Sequence, residues 1–284
     1  MKTLSKTVLI TGVSTGIGMG TAQQFIQKGY KVIGSVRKNA DAEKLKKQLG
    51  SDFMPIVFDV TDEKQVQQAA VELEKKLSGS GLAGLINNAG IATGGPLADM
   101  PMDIIRQHFE VNVFGLLNVT KAFLPLLGVR QGHSVQPGKI INISSVAGKI
   151  GVPFLGAYSG SKFAVEGLSE SLRKELQLYG IDVLVIGPGN VVTPIWDKSG
   201  NVETYKTSAF YSMYKRFYEY IITESKNGYT MDEFGQHVLA IFEKKKPAVR
   251  YALVKERMKD WTIPRLLPSR ILDRMLGKAT GLIK

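Results

Sequence analysis

Short apolar runs rich in β-branched residues alternate with helical stretches through the first third of the chain, and that alternation restricts the possible folds more than any other feature. The runs cover residues 7–11, 31–36, 53–58 and 84–90, with helical spacing over 21–28, 40–49 and 63–77 between them. Strand, helix and next strand close into a right-handed parallel unit, so the repeat predicts an α/β fold, a parallel sheet with helices on both faces. Such sheets bind ligands at the carboxyl ends of their strands. Residues 139–144, 181–186 and 248–254 bring the count to about seven strands, and helices are expected over 102–127, 157–179 and 231–244.

The residues delivered to that edge are chemically selective. Gly12-Val13-Ser14-Thr15-Gly16-Ile17-Gly18 joins the first strand to its helix. Glycines let backbone N–H groups approach a phosphate closely, and the helix N-terminus carries partial positive charge. The spacing differs from Gly-x-Gly-x-x-Gly, and no Lys-Ser/Thr follows, which disfavours a P-loop enzyme. The second strand ends in Arg37-Lys38, which suits either a 2′-phosphate on an adenosine ribose or a solvated loop. After the third strand, Asp59 is either a loop acid or a partner for an adenine amino group, and Asp62 reads as a helix N-cap. Asn112, among apolar helical positions, is either a satisfied core amide or a functional one.

The fifth strand delivers Ser144 and Ser145, and the next helix carries Tyr158 and Lys162. A four-residue helical step puts these two side chains on one face, about 6 Å apart at Cβ. A tyrosine of pKa about 10 needs several units of lowering, at about 1.4 kcal/mol each, to exchange protons near neutrality. An ammonium about 4 Å away, at an effective dielectric of about 20, supplies on the order of 4 kcal/mol. Taken alone, Tyr-x-x-x-Lys is better read as an ordinary helix with an exposed tyrosine and a solvated lysine.

Composition bounds the rest. At 284 residues and 44% hydrophobic content the chain forms one domain, 1–284. Without cysteine there are no disulfides and no thiolate chemistry, and residues 1–6 lack a signal-peptide core, so a cytoplasmic enzyme is expected. No apolar run approaches the roughly 18 residues of a membrane span. His108, His133 and His237 lack metal-ligand spacing, and Ser161 lacks the surrounding glycines of a Gly-x-Ser-x-Gly hydrolase motif. Asn118-Val-Thr and Asn142-Ile-Ser match the glycosylation triplet but fall inside expected elements. Residues 196–222 hold many aromatics just after the loop 187–194, as core packing or as an apolar substrate cover. From residue 244 onward, 12 Lys/Arg face 3 acids, a balance of +9 out of the chain's +12. That tail reads first as a solvated face. Contact with an anionic membrane through Trp261, Leu266, Leu267, Ile271 and Leu272 is not favoured, because Pro264 and Pro268 interrupt the helix.

Together, Thr11-Gly-x-x-x-Gly-x-Gly18, Asp59, Asn87-Asn-Ala-Gly90, Asn112, Ser145, Tyr158-x-x-x-Lys162 and Pro188-Gly-x-x-x-Thr193 closely resemble the short-chain dehydrogenase/reductase family, from about residue 6 to 194. The resemblance implies a Rossmann-type doubly wound sheet with a substrate-loop region over about 194–230 and a basic C-terminal extension over about 255–284. The thirteen-residue step to Tyr158 selects Ser145 over Ser144. Tyr158 would be the acid/base, Lys162 would tune it and hold the nicotinamide ribose, Ser145 would orient the substrate oxygen, and Asn112 would hold a water. Gly12, Ser14, Thr15, Gly16, Ile17 and Gly18 would cradle the pyrophosphate, Asp59 and Val60 the adenine, Asn87 and Gly90 the adjoining ribose region, with Pro188 and Thr193 at the carboxamide. Arg37 looks like the arginine of NADP-preferring members, with NAD(H) use possible. The implied activity interconverts a secondary alcohol and a carbonyl on a small apolar substrate. The tail is similar to that of hydroxysteroid and retinol dehydrogenase-like members. A homodimer is implied, with no nucleic acid partner and no metal. The rival is a catalytically silent NADP(H)-binding regulatory module on the same fold, against which stand the four residues of the active site.

Overall fold

The computed structural model describes residues 6–129, 136–195 and 201–283. His133 and Trp196 lie outside the described residues. Seven strands form one parallel sheet in the order β3-β2-β1-β4-β5-β6-β7. They are β1 (Thr7–Ile10), β2 (Lys31–Val36), β3 (Phe53–Val57), β4 (Gly84–Asn87), β5 (Lys139–Ile143), β6 (Asp182–Pro188) and β7 (Arg250–Leu253). The order reverses between β1 and β4, so the ends of those strands open a crevice at the switch point, where an open α/β sheet binds its ligand.

Alternation along β1 sends Val8 and Ile10 to one face and Leu9 to the other, and each face builds its own core. On the first, α1 (Gly16–Gln27), α2 (Asn39–Leu49) and α8 (Met231–Phe242) contribute Phe25, Leu45 and Phe234. On the second, α3 (Glu63–Leu77) and α5 (Gly115–Phe123) contribute Val66, Leu73 and Phe123. Asp62 caps α3 as expected, accepting from the Gln65 N–H at 3.0 Å. The remaining helices are α4 (Met102–Phe109), α6 (Gly156–Glu175), α7 (Tyr211–Ser225), α9 (Ile263–Leu266) and α10 (Ser269–Thr280).

Two helical expectations change. The run expected over 102–127 is not one regular helix, because a π turn, Glu110–Phe114, separates α4 from α5 and a 3-10 turn, Leu124–Leu127, ends it. By length and composition this run would cross a bilayer, contrary to the expectation. Half of its apolar window is buried, and His108, Asn112 and Thr120 all hydrogen-bond inside the molecule, so it is a core helix. Both glycosylation triplets are likewise internal. Asn142 is fully buried, and Asn118 donates to the Val60 carbonyl at 3.1 Å.

Backbone contact between α1 and α8 sets where the glycine turn sits. A Cβ on Gly235 would lie 2.5 Å from the Gly20 carbonyl oxygen, so the two helices touch main chain to main chain. Gly235→Ala is therefore expected to destabilise by about 1–3 kcal/mol despite alanine's better helix propensity. Urea unfolding checks this as a lowered midpoint at unchanged slope.

Candidate active site

The glycine turn is clamped from both sides. The Gly12 N–H donates to the Ser35 carbonyl at 3.1 Å and lies 3.2 Å from its hydroxyl. Asn88 Nδ2 donates to the carbonyls of Thr11 (2.8 Å) and Gly12 (3.1 Å), while Thr11 Oγ1 accepts from the N–H groups of Asn88 and Ala89 at 2.9 and 3.0 Å. Gly12 and Gly16 have φ of +69° and +65°, which few side-chain-bearing residues adopt. α1 begins at Gly16 with no side-chain cap from Thr15 and no acid in its first turn. Its leading N–H groups are thus free for an anion, and Ser14 and Thr15 are exposed beside them. A Cβ on Gly16 would lie 3.5 Å from the Thr193 side chain, so the loop after β6 and Pro188 closes against this turn. Ile17 is half-buried against the core, and Gly18 is buried. Gly12 and Gly18 pack too closely against Ala89 and Asn88 to carry a Cβ, and the tight turn they make before the uncapped start of α1 fits a dinucleotide phosphate.

Other residues expected around the cofactor are placed less directly. Arg37 is exposed at the end of β2 and has no ion pair among the described residues. The Asp59 carboxylate accepts from the Thr61 N–H and hydroxyl at 2.9 and 2.8 Å, which ties its own loop. Val60 is buried against Gly115. Asn87 does not present its amide to the edge. Its Nδ2 donates to Thr120 Oγ1 and Asn142 Oδ1, both at 2.9 Å, and Asn142 passes the link to Ser169 at 2.8 Å. It is the neighbouring Asn88, which the sequence did not single out, that fastens the glycine turn.

Ser145, Tyr158, Lys162 and Asn112 do converge. Extended backbone separates the two serines: Ser144 Oγ lies 3.5 Å from the Lys162 carbonyl, whereas the Ser145 hydroxyl accepts from the Ala147 N–H at 3.1 Å and lies near enough to the Tyr158 phenol to lower its pKa. Lys162 Nζ sits 5.8 Å from the Tyr158 ring centroid and donates to the Ile143 carbonyl at 2.9 Å. A Cβ on Gly90 would lie 3.0 Å from Asn112 Oδ1 and 3.6 Å from Lys162 Nζ, which places the loop after β4 directly over both. Asn112 lies in the π turn, with both amide hydrogens and one oxygen lone pair engaged. Oδ1 accepts from the Ile91 N–H at 2.8 Å, and Nδ2 donates to the Ile91 carbonyl at 3.0 Å and to Ser161 Oγ at 2.9 Å. Ser161 donates in turn to the Tyr158 carbonyl at 2.7 Å, so Asn112 reaches the Tyr158 turn through a serine that the motif leaves unspecified. His108 is a satisfied core histidine: its Nδ1 pairs with the Ile104 carbonyl at 2.8 Å, its Nε2 accepts from the Thr93 N–H at 2.9 Å, and burial lowers its pKa.

The electrostatics correct one expectation. Burial pushes the Tyr158 phenol above its ordinary value, and only the Ser145 hydrogen bond pulls it back. The lowering expected from Lys162 is not among the causes acting on Tyr158, and desolvation brings Lys162 itself down to about 8, with Glu166 opposing that fall. Glu166, one helical turn beyond Lys162, is buried and grips Arg250 Nε with both oxygens at 3.0 and 2.9 Å; Lys149 lies 3.6 Å away. Arg250 Nη2 donates to the Ser145 carbonyl at 3.2 Å. The available signal was the four-residue step from Lys162 to Glu166, which puts an acid on the same helix face as a buried lysine.

Aromatic side chains cover the Tyr158 side. Tyr158 packs against a cluster of Phe154, Leu155, Tyr205, Tyr214 and Phe217, which joins the start of α6 to the insertion after β6. Phe154 holds φ of +64°, a strained conformation for an aromatic residue, fixed by its carbonyl accepting from the Gly95 N–H at 2.8 Å.

The short chain dehydrogenase family profile matches residues 6–203. The chain belongs to the short-chain dehydrogenase family. It is 37% identical over 273 residues to an NADPH-dependent 3-dehydrocapnine reductase of Ornithobacterium rhinotracheale, covering 95% of each chain. It is 36% identical over 245 residues to a 3-ketodihydrosphingosine reductase of Bacteroides thetaiotaomicron, covering 86% of each. A short-chain dehydrogenase from Streptomyces avermitilis matches in structure with a TM-score of 0.79 at 25% identity, over 100% of both chains. As a short-chain dehydrogenase the protein is an oxidoreductase, and its seven-stranded sheet is the family's fold.

The buried lysine of this short-chain dehydrogenase has a stability signature. Its folded-state pKa is about 8 against an ordinary 10.5. Below the lower value both folded and unfolded chains hold the proton and the folded state bears the full cost. Between the two values the folded state loses its proton first, so stability rises with pH. Lys162→Met is expected to stabilise at neutral pH by on the order of 2 kcal/mol, after allowing for the lost hydrogen bond, with the gain shrinking toward pH ~10. Urea titrations across this range would show instead a constant difference if burial did not destabilise the ammonium.

Proposed function

We propose that the protein is an NADPH-dependent reductase that converts an apolar ketone to a secondary alcohol, with Tyr158 as the proton donor. The observation that carries this reading is the meeting of the Ser145 hydroxyl, the Tyr158 phenol and the Lys162 ammonium beside the glycine cradle, under an aromatic cover. Two relatives named as reductases, one of a 3-dehydro and one of a 3-keto compound, support a ketone as substrate. The relative named as NADPH-dependent and the exposed Arg37 support NADPH over NADH.

The chemistry that the dinucleotide supplies when bound is a hydride for the carbonyl carbon. Free N–H groups at the start of α1 hold its phosphate charge, and Arg37 receives a 2′-phosphate. Ser145 donates a hydrogen bond to the ketone oxygen and orients it toward Tyr158. Burial keeps the phenol protonated at neutral pH, which suits donation to that oxygen and hence the reductive direction. Lys162 steadies the phenolate left behind. With both Asn112 amide hydrogens engaged, we assign to Asn112 a proton-relay water held through an acceptor oxygen. The proposal includes a cytoplasmic homodimer paired through the helical run that holds Asn112 and through α6, where Phe114 of the π turn and Phe163 of α6 are 49% and 45% exposed.

Tyr158→Phe is expected to leave NADPH binding near wild type while turnover falls by about 10²–10⁴-fold. NADPH oxidation over steroid, retinal, acetoacetyl and simple aromatic carbonyls, with fluorescence titration of the cofactor, tests both halves, and retained turnover would falsify the role of Tyr158. Arg37→Asp is expected to shift the ratio of kcat/KM for NADPH over NADH toward NADH by about 10-fold or more. An unchanged ratio would remove Arg37 from cofactor selection.

A further inference from the structure

Most of the chain's excess positive charge lies in the C-terminal tail, and the fold brings apolar surface to the same place. Along α10, Arg270, Arg274 and Lys278 follow one another at four-residue spacing and are all exposed. One position further round the helix run Ile271 and Met275, 49% and 54% exposed, and α9 adds Leu266 at 78%. Leu272, Leu276 and the buried Thr280 take the inward side, and Asp273 turns toward a cavity of about 450 Å³ shared with Gly156, Ser159 and Phe163 of α6. The outward strip of α10 is thus a cationic row beside an apolar row, with its single acid turned away.

We propose that this strip, with Leu266 of α9, docks on the surface of an anionic phospholipid bilayer. A membrane interface accepts cationic and apolar side chains at once, with cations at the headgroups and Ile271, Met275 and Leu266 among the acyl chains. A second copy of the same strip would set like charges against each other, and a polyanion without an apolar layer would leave the exposed aliphatic residues in water. The prolines do not prevent a helical face. Pro264 follows a π turn, Met258–Thr262, and helical backbone continues through it to Leu266, while Pro268 directly precedes α10, where a missing N–H costs nothing.

Three residues expected on a membrane face are not on it. Trp261 is buried, with its ring stacked by the guanidinium groups of Arg250 at 4.1 Å and Arg265 at 4.5 Å, and Leu267 and Leu272 are half-buried. Trp261 is instead a rigid joint: Arg250 ties the tail to Glu166 and to the Ser145 carbonyl. Docking of the strip would therefore hold the active site at a fixed attitude to the bilayer, where an apolar ketone partitions. That corollary rests on the proposed function, whereas the docking does not.

Full-length protein is centrifuged with phosphatidylcholine vesicles that do or do not contain phosphatidylglycerol. Co-sedimentation is expected with the anionic vesicles at low salt and not with phosphatidylcholine alone. Arg270→Gln, Arg274→Gln and Lys278→Gln combined should weaken partitioning by about 100-fold. Ile271→Asn with Met275→Gln should remove the part of binding that survives high salt. Thermal unfolding at the wild-type temperature verifies that both variants are folded. NADPH oxidation with a water-soluble ketone and no vesicles should be unchanged in both, and its absence in wild type would count against the proposed function alone. No co-sedimentation at low salt, or equal binding by the triple variant, overturns the docking. A shift from dimer to monomer in the triple variant, or binding to a DNA duplex in place of vesicles, would assign the strip to a second copy or to nucleic acid and overturn it equally.

Discussion

A buried ammonium is the constraint around which the rest of this molecule is arranged. Lys162 is 5% exposed, and an isolated charge at that depth would be neutralised or expelled unless neighbours compensate. Compensation comes from three elements: the Ile143 carbonyl at the end of β5, Glu166 one turn along α6, and Arg250 of β7, which balances Glu166. Lys162 still sits lower than an ordinary lysine, so its charge is held only partly against desolvation. That poise suits a group which supports proton transfer rather than a permanent structural ion.

The polar groups near Lys162 are fixed by bonds that cross between elements. Thr120, Asn87, Asn142 and Ser169 link α5, β4, β5 and α6 in one buried chain, while Ile91, Asn112, Ser161 and Tyr158 form a second. Buried networks of this kind specify one arrangement because each broken link strands a polar atom. The π turn serves the same end. Its extra residue sets Asn112 where its amide meets both the loop after β4 and the first turns of α6.

Around this frame the molecule is apolar where substrate would lie and cationic where the tail emerges. The aromatic cluster meets Tyr158, and the Trp261 joint ties the tail to the back of the same site. Shape, charge and chemistry thus converge on one end of the sheet, although they come from segments more than 100 residues apart.

The sequence by itself determined the sheet and its direction, because alternating strand and helix patterns permit one parallel closure, and it singled out Ser145, Tyr158 and Lys162, because they keep the family's spacings on a strand and a helix. The family's motifs were legible for the same reason, since each depends on local backbone geometry. Only the tertiary structure decided which neighbours those residues meet. That Asn88 rather than Asn87 grips the glycine turn depends on which side of β4 each amide leaves. That Arg250 completes the charge balance of Lys162 depends on β7 lying beside β6, a contact 105 positions away in the chain from Ser145. Burial also reversed the expected direction for Tyr158, since desolvation is a property of the packed core and spacing along a helix carries no measure of it.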